Sequence, residues 1–213
     1  GGNVFMAVVI AILIGLAFGA FQGALVAYLD IQPFIVTLAG MFFARGMTTI
    51  VNTSPFNVEN EAFVALKMTR VNVPGLGSVN KLGKYVPAYV EIGVLVALLV
   101  VIVMFVLLRW MKLGRNFYAV GGNKQAAIYS GINAKNVTFT VYILAGLLAS
   151  FAGIISASRT FSGQFNVGDG AEMDAIAAVI LGGTSMTGGV GTLSGTVIGC
   201  FIIAVLNNGM NLL

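Results

Sequence analysis

The stretch GGTSMTGGVGT, residues 182–192, carries the side chains best suited to recognising a small polar solute. Thr184, Ser185 and Thr187 offer hydroxyls that both donate and accept hydrogen bonds, which suits a neutral polyol. Gly182, Gly183, Gly188 and Gly189 surround them. Non-helical backbone at membrane depth is tolerated only inside protein or along a water-filled cavity. Hydrophobic segments broken by glycine point to a transport path. We therefore read Gly182, Gly183, Thr184, Ser185, Thr187, Gly188 and Gly189 as a candidate substrate path. The competing reading is an ordinary loop outside the membrane.

Other candidates for chemistry are weak. A phosphate-cradling loop reads GxxxxGK[ST] after a strand. The nearest match, GLGSVNKLGKY at 75–85, lacks the Ser or Thr and reads as an external loop. The chain has no histidine and one cysteine, Cys200. That composition excludes an internal disulfide, Cys/His metal sites and His-assisted nucleophilic catalysis. We expect no metal, no cofactor, no bound ATP and no enzymatic activity in this chain. Arg45 falls in the last turns of an apolar segment and is expected to snorkel to the interface rather than serve an ion relay. Glu91 reads as interfacial. Glu172 and Asp174 stand where a helix should begin, and carboxylates there favour the helix dipole. Phe161 and Phe165 are candidates for stacking on a sugar ring, against plain packing.

The elements that must position these residues are membrane spans. The chain is 58% hydrophobic and 8% charged, with a mean hydropathy of +0.98, whereas soluble domains are about 25% charged. A spanning helix needs roughly 20 apolar residues. Spans are expected at 4–29, 34–51, 90–108 and 137–157, with a fifth, broken or re-entrant, at 175–206. Residues 193–206 alone would reach about 21 Å, short of a ~30 Å hydrocarbon core. The fold class is an all-α polytopic bundle, a single transmembrane domain over 1–213. The ends, Gly1-Gly2-Asn3 and Asn211-Leu212-Leu213, suggest a piece of a longer bundle.

Charge sorts the connections. Residues 109–136 carry Arg109, Lys112, Arg115, Lys124 and Lys135 and no acid. Residues 158–174 carry Arg159 against Asp169, Glu172 and Asp174. Residues 52–87 mix Lys67, Arg70, Lys81 and Lys84 with Glu59 and Glu61. Lys and Arg are retained in the cytoplasm. The segment 109–136 is therefore expected inside, with Asp30 and Gln32, and 52–87 and 158–174 outside. A net charge of +4, scattered this way, indicates membrane topology and no nucleic-acid partner.

Glycine spacing predicts helix contacts. Gly15, Gly19 and Gly23 recur every fourth residue, as do Gly191, Gly195 and Gly199. That spacing puts each set on one helix face, where a second backbone can approach closely.

GRNFYAVGGNKQAAIYSGI, residues 114–132, lies between two apolar runs. It resembles the cytoplasmic loop of ribose-type sugar permeases, the membrane subunits of bacterial ABC importers. IQPFIVTL at 31–38 resembles that family's IPPFIVTL, with Gln32 where proline is common. EMDAIAAVILGGTS at 172–185 resembles its ELDAIAAVVLGGTS, with Met173 for leucine, and NGMNL at 208–212 its NGLNL. The family's early GGIDLSVG-type segment is absent. The resemblance implies an inner-membrane permease longer than this chain. Its partners would be a cytoplasmic ABC ATPase, a periplasmic or extracellular sugar-binding protein and a second permease copy or paralogue.

The residues of 118–132 suit a force-receiving contact. Asn123 is a good N-cap. Ala126 and Ala127 are small helix formers, and Gly131 is a good terminator at the position just past a helix. A short helix between Gly122 and Gly131 would result. In the resemblance this is the coupling helix that docks on the ATPase, with Gly121, Gly122, Asn123, Ala126, Ala127, Ser130 and Gly131 as its candidate residues. The function expected is import of a sugar or related small polar solute, driven by ATP on a partner chain. A secondary transporter or channel without an ATPase is the alternative. No mid-span Asp, Glu or His favours proton coupling there.

Overall fold

The computed structural model describes residues 3–54, 56–57, 70–79, 85–160, 162–163 and 168–210. Among the described residues the helices are α1 (Val4–Ala27), α2 (Pro33–Val51), α3 (Ile92–Trp110), α4 (Lys112–Gly122), α5 (Lys124–Tyr129), α6 (Ala134–Thr160), α7 (Ala171–Leu181) and α8 (Leu193–Met210). Five of them, α1, α2, α3, α6 and α8, are long and apolar enough to cross a membrane. The chain is an all-α polytopic membrane protein. Among the described residues two antiparallel strand pairs lie in its polar connections: β1 (Phe56–Asn57) with β4 (Ser162–Gly163), and β2 (Arg70–Val79) with β3 (Tyr85–Glu91).

The GxxxGxxxG face of α1 packs antiparallel on α6. A β-carbon added at Gly19 would stand 2.5 Å from the Tyr142 carbonyl oxygen, and one at Gly23 would stand 2.8 Å from Tyr142 Cβ. Gly15 faces Gly146 and Ser150 at the far end. Ser150 Oγ donates to the Ala11 carbonyl at 3.1 Å, a hydrogen bond between the two helices. The contact closes with Tyr28, whose hydroxyl meets Asn136 Oδ1 at 3.2 Å and whose ring lies 5.5 Å from that of Phe139. Gly40, which spacing did not single out, performs the same service for α2. It faces Gln22 and Phe18 of α1, beside a stacked Phe18–Phe43 pair.

The last two helices form a hairpin. Residues of α7 and α8 meet in antiparallel order. Gly199 sits against Ala178, Gly195 against Gly182, and Asn207 Nδ2 donates to Asp174 Oδ2 at 3.3 Å. The helix α7 has 11 residues, about 16 Å, so it cannot cross a ~30 Å core. The helix α8 runs to Met210, and its 18 residues reach about 27 Å, longer than the expected 193–206. Asn207 and Asn208 remain helical because Asn207 bonds back to α7. Gly191 lies in the turn before α8 and faces Thr184 there, so the second glycine stripe is helical only at Gly195 and Gly199.

The two ends of the bundle separate as the charges predict. At one end Asp30, in a left-handed turn at φ +51°, approaches Lys124 at 4.0 Å and Lys135 at 3.8 Å. At the other end β1 pairs with β4, and Arg45 reaches Asp169 and Glu172, each at 3.2 Å. Arg45 thus leaves its helix for two carboxylates rather than only for the interface. Of the stretch GLGSVNKLGKY, residues 75–79 lie in β2 and Tyr85 begins β3, with Val79 opposite Tyr85 and a register shift between Asn72 and Gly77 around Pro74; residues 80–84 lie outside the described residues. Proline in a strand is confined to such irregular positions.

The chain exposes 14599 Å², against about 9,400 Å² for a compact soluble protein of 22.2 kDa. Phe5, Ile14, Phe42, Phe43, Leu99 and Phe201 are among the large apolar side chains left outward. That surface requires lipid or neighbouring protein.

Candidate functional site

The site grows from the corner after α3. Gly114 is buried because α4 folds back on the end of α3, and a β-carbon there would stand 2.5 Å from the Leu107 carbonyl oxygen. The expected loop from 114 to 122 is therefore a helix, and Gly121 and Gly122 form its last turn. Glycine weakens an isolated helix by about 1 kcal/mol. Here the missing side chains admit the turn 182–192. A β-carbon at Gly121 would stand 2.8 Å from the Gly189 nitrogen, and one at Gly188 would stand 2.6 Å from the Gly121 carbonyl oxygen. Gly188 and Gly189 have φ of +92° and +74°, a region other residues enter at a cost of roughly 1–2 kcal/mol. Tyr118 Oη donates to the Gly191 carbonyl at 3.1 Å and ties the same two segments.

The short helix α5 follows with the expected boundaries. Asn123 Oδ1 accepts from the Ala126 amide at 3.0 Å. Beyond Ser130, Gly131 takes φ +83°. Its amide donates to the Ile128 carbonyl at 2.9 Å, and the Ile132 amide donates to the Ala127 carbonyl at 3.0 Å. These two bonds define a Schellman cap. Ser130 Oγ caps as well, donating to the Ala126 carbonyl at 2.9 Å. Ala127 is 4% exposed and anchors the helix inward, whereas Ala126 lies on the outer face. Tyr129, which spacing did not single out, stands 87% exposed beside Ile128.

Of the predicted path residues, Thr184, Ser185, Gly188 and Gly189 line a cavity beside these, and Gly182, Gly183 and Thr187 do not. An open cavity of about 450 Å³ lies between α4, the start of α6 and the glycine turn. Thr138, Thr184, Ser185, Thr192 and Thr196 are among the residues that line it, with Phe117 and Val141, and the wall is mostly apolar. Within the turn, Ser185 Oγ and Thr187 Oγ1 lie 2.8 Å apart, and Ser185 Oγ accepts from the Thr187 amide at 3.2 Å. Those hydroxyls first hold the turn. Gly182 and Gly183 form the exit of α7, where Gly182 packs on Gly195. Phe161 and Phe165 lie outside the described residues. Glu172 and Asp174 fall in the first turn of α7, and Glu91 precedes the first turn of α3.

With this geometry, the full length of the chain, residues 1–213, matches the family of branched-chain amino acid transport system permease components. The chain belongs to that family. It is 42% identical to the ribose import permease protein RbsC of Escherichia coli K12, over 99% of the chain and 62% of that protein. It is 36% identical to the D-allose transport system permease protein AlsC of the same organism, over all of the chain and 61% of that protein. It is 34% identical to the fructose import permease protein FruG of Bifidobacterium longum, over 97% of the chain and 59% of that protein. The chain thus spans about three-fifths of the length of these relatives. No solved structure matches it.

Proposed function

We propose that this chain is the core of a permease subunit that imports a sugar or related small polar solute across the bacterial inner membrane, driven by ATP on a separate chain. The relatives' printed substrates, ribose, D-allose and fructose, support a monosaccharide. The chain itself makes and breaks no covalent bond. Its proposed partners are a cytoplasmic ABC ATPase, a sugar-binding protein on the outer side and a second permease copy or paralogue.

The observation that carries the reading is the capped helix α5, with Tyr129 outward, on the end of the bundle that holds the unbalanced bases. A ligand shifts a conformational equilibrium only by its differential contacts with the two states. Contact of the ATPase with α5 would differ between its nucleotide states. From α5 the displacement passes to α4 at Asn123, and from Gly121 and Gly122 to the turn 182–192. That turn joins the hairpin α7–α8 and lines the hydroxyl-bearing cavity. Movement at α5 therefore reaches the proposed path through one backbone-to-backbone joint.

The test is uptake into liposomes holding the full-length permease and its ATPase. Sugar accumulation that needs internal ATP and the binding protein supports the proposal. Accumulation that follows an ion gradient without ATP contradicts it.

A further inference from the structure

Five bases mark the segment 109–136, and the structure divides them. Lys124 and Lys135 face Asp30. Among the described residues, Arg109, Lys112 and Arg115 have no carboxylate partner. Arg115 Nη1 donates only to the Trp110 carbonyl, at 3.3 Å. These three cations are concentrated at the corner where a spanning helix ends.

The corner is also a pocket of about 420 Å³. Arg109, Arg115 and Tyr118 line its polar side, Phe105 and Leu108 its apolar side. The start of α8 borders the same pocket, where Thr192 Oγ1 accepts from the Gly195 amide, and the formal positive charges at the pocket are those of Arg109 and Arg115. Trp110 beside it is 69% exposed, the position of an interfacial aromatic. Cations at the rim, apolar walls below and an indole at the headgroup level match one ligand shape: an anionic head on acyl chains. Basic pockets between helices on the cytoplasmic side bind such headgroups.

We infer that the α3–α4 corner binds the phosphate of an anionic phospholipid from the cytoplasmic leaflet, with Arg109 and Arg115 on the phosphate and Phe105 and Leu108 along the chains. The inference rests on the inward placement of 109–136 proposed above. A lipid held there braces the corner that Gly114 bends and that leads to Gly121 and Gly122. The proposed ligand is structural rather than transported.

The test uses the full-length permease without its ATPase, so failure of the coupling role leaves it intact. Native mass spectrometry would follow phosphatidylglycerol and phosphatidylcholine released with the protein from nanodiscs containing both. The structure predicts retained phosphatidylglycerol. Each basic side chain near an anionic surface contributes about fivefold in affinity, so Arg109→Gln/Arg115→Gln should weaken retention about thirtyfold. Lys124→Gln/Lys135→Gln removes the same charge from the same end, from side chains that face Asp30 outside the pocket, and should weaken retention far less. Where the arginine pair fails to insert, Arg109→Lys/Arg115→Lys keeps the topology signal and should lose part of the binding. Equal loss in both glutamine pairs, or equal retention of the two lipids by the natural protein, overturns the site. Displacement by inorganic phosphate alone reduces it to a phosphate site. Displacement on adding the ATPase makes it a protein contact, and either result ends the lipid reading.

Discussion

Gly131 provides the sharpest test of the α5 helix, because its substitution acts through one term. Its φ is +83°, and a β-carbon there would meet nothing within 4 Å. Packing is therefore neutral, and only backbone strain changes. An L-residue in the left-handed region costs roughly 1–2 kcal/mol, and a β-branched residue is a genuine outlier there. Asparagine enters that region more easily than other side-chain-bearing residues. Gly131→Val would therefore lower the ratio of capped to uncapped helix by about 5–30-fold, while Gly131→Asn would lower it less. The assay is sugar transported per ATP hydrolysed, in liposomes with the ATPase and binding protein. The expected result is a loss of coupling with valine, ATP hydrolysis continuing, and near-natural coupling with asparagine. Natural coupling with valine would refute the role of the capped helix. Equal loss with both would show that the left-handed turn is not what matters.

Asn123→Ala removes the N-cap of α5 and should cost about 0.5–2 kcal/mol of local stability, read as faster amide exchange over 124–129. Gly189→Ala places a β-carbon against the Gly122 backbone at φ +74° and should lower uptake severalfold without changing ATPase binding, as measured by co-purification. Gly199→Leu forces a side chain into the Ala178 backbone. Overpacking costs typically 1–3 kcal/mol, and more against backbone, so the yield of monodisperse protein should fall sharply, whereas Gly209→Leu, with open space around it, should not. Arg45→Gln breaks an ion pair whose partners are 40% exposed or more. Its effect on thermal stability should be about 0.2–1 kcal/mol and should shrink in high salt.

The spans were legible because hydrocarbon length is a property of composition. The stripe Gly15, Gly19, Gly23 was legible because one helix face is fixed by four-residue spacing. Asn123 and Gly131 were legible because caps are local. Other features depend on distant partners. Arg45 reads alone as a snorkelling residue, since Asp169 and Glu172 lie more than 120 positions along the chain, yet fold to 3.2 Å. Gly121 and Gly122 read as a break, since glycine lowers helix propensity, but contact with Gly188 and Gly189 stabilises their helical turn. From sequence alone α8 ends at 206, because Asn207 and Asn208 look like a terminus until Asp174 is beside them. Tyr129 carried no spacing signal at all. Its orientation follows from the burial of Ala127 two residues earlier on a six-residue helix.

The central claim is that α5 is the surface on which an ATPase acts. A photoreactive phenylalanine analogue at position 129 keeps the aromatic ring and reports what it touches. Introduced into the full-length permease in its host membrane and illuminated, it should give one dominant adduct. Mass spectrometry should identify the adduct as a nucleotide-binding ATPase subunit, and its yield should change when ATP is replaced by a non-hydrolysable analogue. Adducts to lipid alone, in cells where uptake is active, would contradict the account.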